Sequence, residues 1–247
     1  MKKIFKRILI ITGIIVGVLA VAIGGVFLKM KSAQSTLNTM KTGKVVDNIF
    51  VIDDGYANMF IIQDSAQYIV IDCGAFPEIV IEQMKKLKIN SDEVTAVFLT
   101  HTDADHVSVL DLFDKAKLYM SKEEEQMING KKLRLFWMKN SISRTDYILL
   151  EDREIIQTGN MKIEGILTPG HSSGTMAYLV NDKYLFSGDI LSLKNGKIAP
   201  IPSIYNMDTK QAVESMEIIR HIPTAEYIFT SHWGYTDDYK TAVQKTD

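Results

Sequence analysis

The sequence predicts an α+β domain preceded by one N-terminal transmembrane helix. An uninterrupted apolar run over residues 8–28 predicts the helix. Short β-rich runs, with a few segments of helical spacing between them, predict the domain. The composition, with 46% hydrophobic residues, 23% charged residues and a net charge of −2, is typical of a globular protein. It argues against a disordered chain, and no nucleic-acid partner is expected.

The N-terminal segment has the length of a membrane span. Its 21 residues, apolar except for Thr12, carry no charge and lie between cationic flanks, which favours an uncleaved signal anchor over residues 1–31. The alternative is a cleaved signal peptide, because Ala20 and Ala22 form an A-x-A pattern. Cleavage there would leave residues 23–28 as an apolar stub, which favours the anchor.

The cationic side chains around this segment are balanced in number. They are Lys2, Lys3, Lys6 and Arg7 before the apolar run, and Lys29, Lys31, Lys41 and Lys44 after it. The free α-amino group and the tighter N-terminal clustering favour an N-terminus inside the cell. We therefore expect a single-pass protein of the cell membrane with an extracytoplasmic domain.

A polar, aperiodic segment over residues 32–44 is expected to link the anchor to a domain over residues 45–247. Strands are predicted at residues 45–53, 56–64, 67–74, 96–100 and 116–120, with further strands within 153–171, 175–191 and 225–233. Helices are predicted at residues 76–88, 107–113, 121–127 and 208–221. Gly159-Asn160 and Asn181-Asp182 are candidate hairpin turns, and Asp208 is the expected N-cap of the last helix.

Two segments are available to determine substrate specificity. Residues 121–150, which include Phe136 and Trp137, are interpreted as an amphipathic insertion packed on the core. Residues 191–206 contain Pro and Gly and predict a shaped lid. The cations of the insertion either attract an anionic substrate or form a solvated charged face; they are Lys131, Lys132, Arg134, Lys139 and Arg144.

Four of the five histidines follow apolar strands, where metal ligands are commonly held. They are His101 and His106 in HTDADH, His171 in TPGHSSGT, and His232 in SHWG. Asp103 and Asp105 lie between the first two, and Asp189 follows a further strand. This clustering predicts two metal ions bridged by a carboxylate.

The remaining histidine and the single cysteine are interpreted as structural residues. His221 lies at a helix end and is expected on the surface. Cys73 alone excludes an internal disulfide and a cysteine metal cluster, and it is expected to be a small buried hydrophobic residue.

These motifs resemble those of a known family. HTDADH resembles the H-x-H-x-D-H signature of the metallo-β-lactamase fold superfamily, and IDCG, TPGHSSGT, SGD and SHWG resemble its other motifs in the same order. The resemblance covers about residues 45 to 235 and implies a four-layer αββα sandwich with two metal ions at one edge of the packed sheets. The implied ligands are His101, Asp103 and His171 for site one, Asp105, His106 and His232 for site two, Asp189 as the bridge, and Asp72 as an outer residue that orients a ligand histidine.

Asp103 departs from the family signature, which has a second histidine at this position. Site one then has two imidazoles and a carboxylate, a set that serves catalytic zinc and also matches the facial triad of non-haem iron. Three aspartates also reduce the net positive charge of two divalent ions, which weakens the pull on bound water. Two divalent ions are expected; zinc is the favoured metal, and manganese or iron is the alternative.

The resemblance implies hydrolysis of an ester, lactone or phosphodiester by a metal-bridging hydroxide, with Asp105 both a ligand and the residue that orients the nucleophile. The expected substrate is a small molecule, and an anionic small molecule is one of the alternatives. The alternatives are a non-haem iron oxidoreductase on the same fold and a catalytically weak, membrane-tethered metal-binding protein. β-Lactam hydrolysis is disfavoured, because the best-known lactamases of the family use a cysteine or a three-histidine site. The sequence does not indicate whether the protein is a monomer or an oligomer.

Overall fold

The structure, a computed structural model, describes residues 2–134 and 138–245, so that Phe136 and Trp137 of the predicted insertion lie outside it. The chain forms two units, Met1–Leu37 and Asn38–Asp247. The first unit contains helix α1 (Lys2–Gln34), which continues past the predicted end of the anchor at residue 31. An 18-residue window of this helix has a mean hydropathy of 2.7, and the helix is long and apolar enough to cross a membrane. A signal sequence has the same properties.

The second unit begins with a mixed sheet whose strands follow one another in chain order. They are β1 (Gly43–Val46), β2 (Ile49–Asp53), β3 (Asn58–Asp64), β4 (Gln67–Ile71), β5 (Val94–Phe98), β6 (Lys117–Ser121) and β7 (Tyr147–Leu150). Neighbours pair antiparallel from β1 to β4 and parallel from β4 to β7.

The later strands form a second sheet and a small hairpin. They are β8 (Ile155–Thr158), β9 (Met161–Leu167), β10 (Met176–Val180), β11 (Tyr184–Phe186), β12 (Ser192–Lys194), β13 (Lys197–Ala199), β14 (Tyr227–Phe229) and β15 (Tyr235–Thr236). The second sheet has the order β15-β14-β11-β10-β9-β8, with β11 and β14 parallel and the other pairs antiparallel. Strands β12 and β13 pair with each other within the predicted lid.

The helices of this unit lie between strands in the chain, except the last, which follows the final strand. They are α2 (Pro77–Leu87), α3 (Ala104–Val107), α4 (Glu125–Ile128), α5 (Thr209–Arg220) and α6 (Tyr239–Ala242), with short 3-10 turns at Ser91–Glu93, Leu110–Phe113 and Ser203–Tyr205. The capping chemistry sets the start of α5, because the Asp208 side chain accepts a hydrogen bond from Gln211 N at 3.0 Å.

Apolar side chains join these elements into four layers. Between the sheets, Phe60 packs against Phe186 and Phe229, with ring centroids 5.2 and 5.5 Å apart. The outer face of the first sheet packs on Val80 and Met84 of α2, and the outer face of the second sheet packs on α5 and α6. The predicted αββα sandwich is therefore confirmed.

Several local predictions are also confirmed. Gly159-Asn160 turns between β8 and β9, and Asn181-Asp182 turns between β10 and β11. Cys73 is fully buried, and the exposed His221 donates from Nδ1 to the carbonyl of Glu217 at 2.7 Å. The local sequence patterns therefore predicted these turns and the burial of these side chains correctly.

Some element predictions are wrong in detail. Of the helix predicted at residues 121–127, only the part from Glu125 onward is helical, in α4. Residues 45–53 form the hairpin β1–β2 and not one strand, because the chain reverses at Asp47, where φ is 43°. The helix predicted at residues 107–113 is divided into α3 and the 3-10 turn Leu110–Phe113. This division places α3 three residues earlier in the chain than predicted, directly behind His101 and Asp103.

The sheet topology brings several loops to one edge. β4 and β5 are parallel neighbours, so the loops that begin at Asp72 and Leu99 leave the first sheet at the same end. β11 and β14 are parallel neighbours in the second sheet and lead to Asp189 and His232. Side chains that are far apart in the sequence therefore meet where the two sheets end together.

Candidate metal centre

The loop after β5 brings four ligand-type side chains to this edge. The backbone is extended at Asp103, with φ −66° and ψ 151°, and Asp105 and His106 lie in the following turn of α3. Alternate side chains on extended backbone share a face, whereas a helical turn rotates the next side chains around the axis. His101 and Asp103 consequently face one group of donor atoms, and Asp105 and His106 face its neighbour.

The side chains expected at site one lie together. His171 Nε2 is 3.1 Å from His101 Nε2 and 3.2 Å from Asp103 Oδ2, and the third separation, from His101 Nε2 to Asp103 Oδ2, is 3.7 Å. The two histidines are buried, and the Asp103 side chain is 18% exposed. One imidazole therefore comes from each of two loops, one per sheet.

The side chains expected at site two form a second, adjoining group. Asp105 Oδ2 is 3.2 Å from His232 Nε2 and 3.5 Å from His106 Nε2. Asp189 lies between the groups, with Oδ2 3.3 Å from His232 Nε2 and 3.8 Å from His171 Nε2, and Oδ1 3.7 Å from His106 Nε2. The structure thus brings all seven expected side chains into one cluster.

The spacing and the unpaired atoms fit metal ions. Donors bound to tetrahedral zinc at roughly 2.0–2.1 Å lie about 3.3 Å from one another, close to the separations in both groups. Within the described residues, His106 Nε2 and Asp189 Oδ1 are buried without a hydrogen-bond partner. Buried polar atoms without a partner are rare, and a cation between these two would satisfy both.

Outer contacts fix which ring nitrogen faces the centre. His106 Nδ1 donates to Asp72 Oδ2 at 2.9 Å, and Asp72 also accepts from the Thr100 amide and hydroxyl, each at 2.8 Å. His232 Nδ1 donates to the carbonyl of Tyr56 at 2.7 Å. Both rings therefore direct the Nε2 lone pair inward. Asp72 has a φ of 59°, an unusual value for a residue with a Cβ, and this conformation holds its carboxylate under His106.

The electrostatics of site two favour cations, whereas in site one burial and the neighbouring His106 and His171 hold the pKa of His101 well below its usual range. Burial alone would raise the pKa of Asp105, but the neighbouring His106 and His232 hold that pKa well below its usual range. Burial likewise opposes protonation of His232, yet Asp189 and Asp105 raise the pKa of His232 to about 10. A site that stabilises positive charge on imidazole attracts metal ions, which compete with protons for the same nitrogens.

Two residues of the insertion contact Asp103, which the sequence did not predict. Arg134 Nε donates to Asp103 Oδ1 at 2.9 Å and Oδ2 at 2.8 Å, and its Nη2 lies 3.1 Å from His171 Nε2. Asn140 Nδ2 donates to Asp103 Oδ1 at 2.8 Å and to the Thr102 hydroxyl at 3.1 Å. No local pattern marks these residues, which follow Asp103 by more than 30 positions.

The other cations of the insertion differ in their environment. Lys131, Lys132 and Lys139 are exposed, as a solvated charged face requires. Arg144 is buried and donates to the carbonyls of Phe113 and Ala116 at 2.7 and 2.8 Å, so it has a structural role. Arg134 alone of the five contacts the cluster in the described part of the chain.

A buried carboxylate joins the two loops that form site one. Glu124 accepts hydrogen bonds from the amide and hydroxyl of Thr102, at 2.8 and 2.7 Å, and from the Ser172 hydroxyl and the Gly174 amide. Burial raises the pKa of Glu124. A Cβ at Gly174 would lie 2.0 Å from Glu124 N, so the close approach of these loops requires glycine there.

Two tyrosines border the cluster. Burial, with the nearby charge of Asp105, raises the pKa of Tyr56 to about 12, and burial and Asp189 raise the pKa of Tyr205. The Tyr56 ring packs edge-on against His232, with centroids 5.3 Å apart. Both phenols therefore keep their protons at neutral pH and can donate hydrogen bonds. Tyr205 belongs to the predicted lid, and its backbone carbonyl accepts a hydrogen bond from Arg134 Nη2 at 2.7 Å.

The sequence is similar to those of a known protein family. The family model of the metallo-β-lactamase superfamily matches residues 52–232. A probable metallo-hydrolase of Methanocaldococcus jannaschii is 29% identical over 63% of this chain and 65% of its own length. A probable polyketide biosynthesis zinc-dependent hydrolase of Bacillus subtilis is 38% identical over 39% of each chain. The matched regions thus span less than two thirds of these relatives.

Solved structures show the same fold at low sequence identity. A metallo-β-lactamase family protein of Thermus thermophilus aligns with a TM-score of 0.63 and 16% identity over 81% of this chain and 78% of its own. A B3 metallo-β-lactamase described as the first with an active-site glutamic acid aligns with a TM-score of 0.62 and 16% identity over 87% and 88%. The αββα sandwich with histidines and aspartates at one sheet edge defines the class of the metallo-β-lactamase fold. Because the family model spans most of the chain, the chain belongs to the metallo-β-lactamase superfamily.

Proposed function

We propose that this protein is a dinuclear metal-dependent hydrolase that acts on a small-molecule ester, lactone or phosphodiester. The observation that carries the proposal is the pair of donor groups, which adjoin at Asp189 and have the spacing of metal ligands. A relative named as a probable zinc-dependent hydrolase supports hydrolysis.

The residues of sites one and two would hold one divalent ion each, with Asp189 between them, and such ions supply hydroxide at neutral pH and polarise the substrate oxygen. Asp72 and the Tyr56 carbonyl retain the Nδ1 protons of His106 and His232, so that both rings present a lone pair. The Asp105 side chain is 24% exposed, which allows it to orient the attacking oxygen at the open face. The protonated Tyr56 hydroxyl can donate to an oxygen that gains charge in the transition state.

The neighbours of Asp103 favour zinc as the metal. The departure from a third histidine adds one negative charge to site one, but the Arg134 guanidinium pairs with that charge at 2.8 Å. An aspartate with an arginine partner is close to a neutral ligand in net charge. The electrostatic preference for manganese or iron expected from three uncompensated aspartates is therefore reduced.

The membrane role is also a proposal. The proposed order is a single-pass anchor over residues 1–31, a linker over residues 32–44 and a hydrolase domain over residues 45–247. The apolar helix α1 supports the anchor, but it continues to Gln34, and the first strand already begins at Gly43. The cationic clustering before the apolar run favours an extracytoplasmic domain. Protease accessibility of the domain in intact cells tests this orientation.

A second candidate rests on the chemistry of site one. Two histidines and one carboxylate on one ion are the facial triad of non-haem iron oxygenases, and His101, His171 and Asp103 provide that set. An iron oxidoreductase on this fold is therefore the alternative. Iron in the purified protein with oxygen consumption and no hydrolysis would favour it.

The test is metal removal and replacement in the full-length protein in detergent. We expect the chelated protein to be inactive, and zinc to restore hydrolysis of at least one compound in a panel of chromogenic esters, thioesters, lactones and phosphodiesters. His106→Ala should abolish the restored activity, because it removes a ligand of site two. His221→Ala is the matched control and should retain it, because His221 is exposed and outside the cluster. Activity that persists in the chelated protein or in His106→Ala would contradict the proposal.

A further inference from the structure

We propose that Arg134 competes with the metal ion of site one, so that site one binds its ion more weakly than site two. The inference rests on the proposed function, because it takes both donor groups as metal sites. Arg134 would then determine the order of metal loading.

The guanidinium contacts the atoms that a metal ion would need. Arg134 Nε donates to Asp103 Oδ2, and Nη2 lies within hydrogen-bond distance of His171 Nε2. A neutral imidazole has one ring nitrogen with a free lone pair. His171 Nε2 therefore cannot accept from Arg134 and bind a metal ion at once.

Arg134 is held at this position by contacts outside the cluster. Its Nη2 donates to the carbonyl of Tyr205 at 2.7 Å, and its backbone amide donates to the carbonyl of Met138 at 2.9 Å. The side chain is only 12% exposed. The positive charge therefore stays close to site one even when the bond to His171 is broken, and it repels a divalent ion there.

Site two has no such competitor in the described part of the chain. The ion pairs of Asp105 and Asp189 are formed with histidines, and neither carboxylate pairs with a lysine or arginine among residues 2–134 and 138–245. Each group has two imidazoles and one carboxylate at similar spacing, so the charges that distinguish them are the Arg134 guanidinium beside Asp103 and the Asp72 carboxylate beside His106. Both favour the ion of site two over the ion of site one.

Substitutions of Arg134 and of Asn140 together distinguish the effect of holding the Asp103 carboxylate in position from the effect of the positive charge beside it. Asn140 donates to Asp103 Oδ1, the same oxygen that Arg134 contacts, but it carries no charge. When Arg134 is replaced, Asn140 still restrains the carboxylate. When Asn140 is replaced, the charge beside site one is unchanged.

The test is a calorimetric titration, in which zinc is added to the metal-free, full-length protein in detergent and the heat of each addition is measured. We expect two binding steps of unequal affinity for the wild type. Arg134→Gln should tighten the weaker step at least tenfold and leave the tighter step unchanged. Arg134→Lys keeps the positive charge but loses the contact of Nε with both carboxylate oxygens of Asp103. It should therefore tighten the weaker step less than Arg134→Gln does.

Further variants assign the steps and serve as controls. Asp103→Asn should remove the weaker step, and His232→Ala should remove the tighter one. Asn140→Ala should not tighten either step, and the same holds for Arg153→Gln, which removes an exposed arginine paired with Glu164. Thermal unfolding of each variant reports whether it is folded before titration.

The possible failures are distinguishable. Two equal steps in the wild type, or a weaker step that Arg134→Gln leaves unchanged or weakens further, would overturn the inference and leave the proposed function standing. Failure of the folded wild type to bind zinc at all would overturn both.

Discussion

Asp105→Asn is expected to lower kcat/KM for the hydrolysed substrate by about 10³-fold, with little loss of stability. The carboxylate contacts His232 Nε2 and His106 Nε2, and the substitution removes its charge from site two without changing its size. The measurement is steady-state kinetics of the zinc-loaded protein, with a thermal unfolding curve for each variant. The expected loss is large because the proposed mechanism assigns Asp105 both to metal binding and to the position of the nucleophile.

Asp111→Asn is the matched control for this substitution. Asp111 is exposed on the 3-10 turn Leu110–Phe113, so the same chemical change there should leave kcat/KM within about twofold. If Asp105→Asn kept more than a tenth of the wild-type activity, Asp105 would not have the role assigned to it.

Gly170→Ala is expected to destabilise the domain by about 3 kcal/mol or more. Gly170 has a φ of 133°, and a Cβ there would lie 2.2 Å from the backbone nitrogen of Ala212 in α5. The carbonyl of Gly170 also accepts from Asp208 N at 2.9 Å, which joins the loop to the start of this helix. The clash is with backbone, so the loop that carries His171 must move.

The measurement is denaturant unfolding followed by tryptophan fluorescence, with Gly196→Ala as the control. Gly196 also has a positive φ, 75°, but a Cβ there would meet nothing within 4 Å. The control therefore isolates the conformational cost, about 1 kcal/mol. Equal losses in the two variants would show that the contact between this loop and α5 has no energetic role.

Much of the fold was predictable because its signals are local. The short β-rich runs, the turn at Gly159-Asn160 and the Asp208 cap each depend on neighbours in the sequence, and the structure contains all three. The exception at residues 45–53 is also local, since Asp47 reverses the chain within an otherwise strand-like run. Sequence periodicity does not distinguish one strand from two when the turn is this short.

The cluster itself was predictable because its histidines and aspartates follow strands in recognisable motifs. Of the residues around it, Asp72 was expected from the resemblance and does contact His106, whereas the others were not predicted, because their contacts depend on how distant segments fold together. Arg134 and Asn140 approach Asp103 from the insertion, and Glu124 connects the loops of Thr102 and Ser172. In sequence each is an ordinary polar residue; only the tertiary structure gives it a partner.

Anomalous X-ray diffraction at the zinc edge, from crystals of the zinc-loaded protein, tests the central claim most directly. We predict two peaks per chain, one bound by His101, Asp103 and His171, and the other by Asp105, His106 and His232. Each should lie roughly 2.0–2.2 Å from its nitrogen and oxygen ligands, with Asp189 in contact with both. A single peak, or peaks away from this cluster in a protein that hydrolyses its substrate, would contradict the dinuclear account.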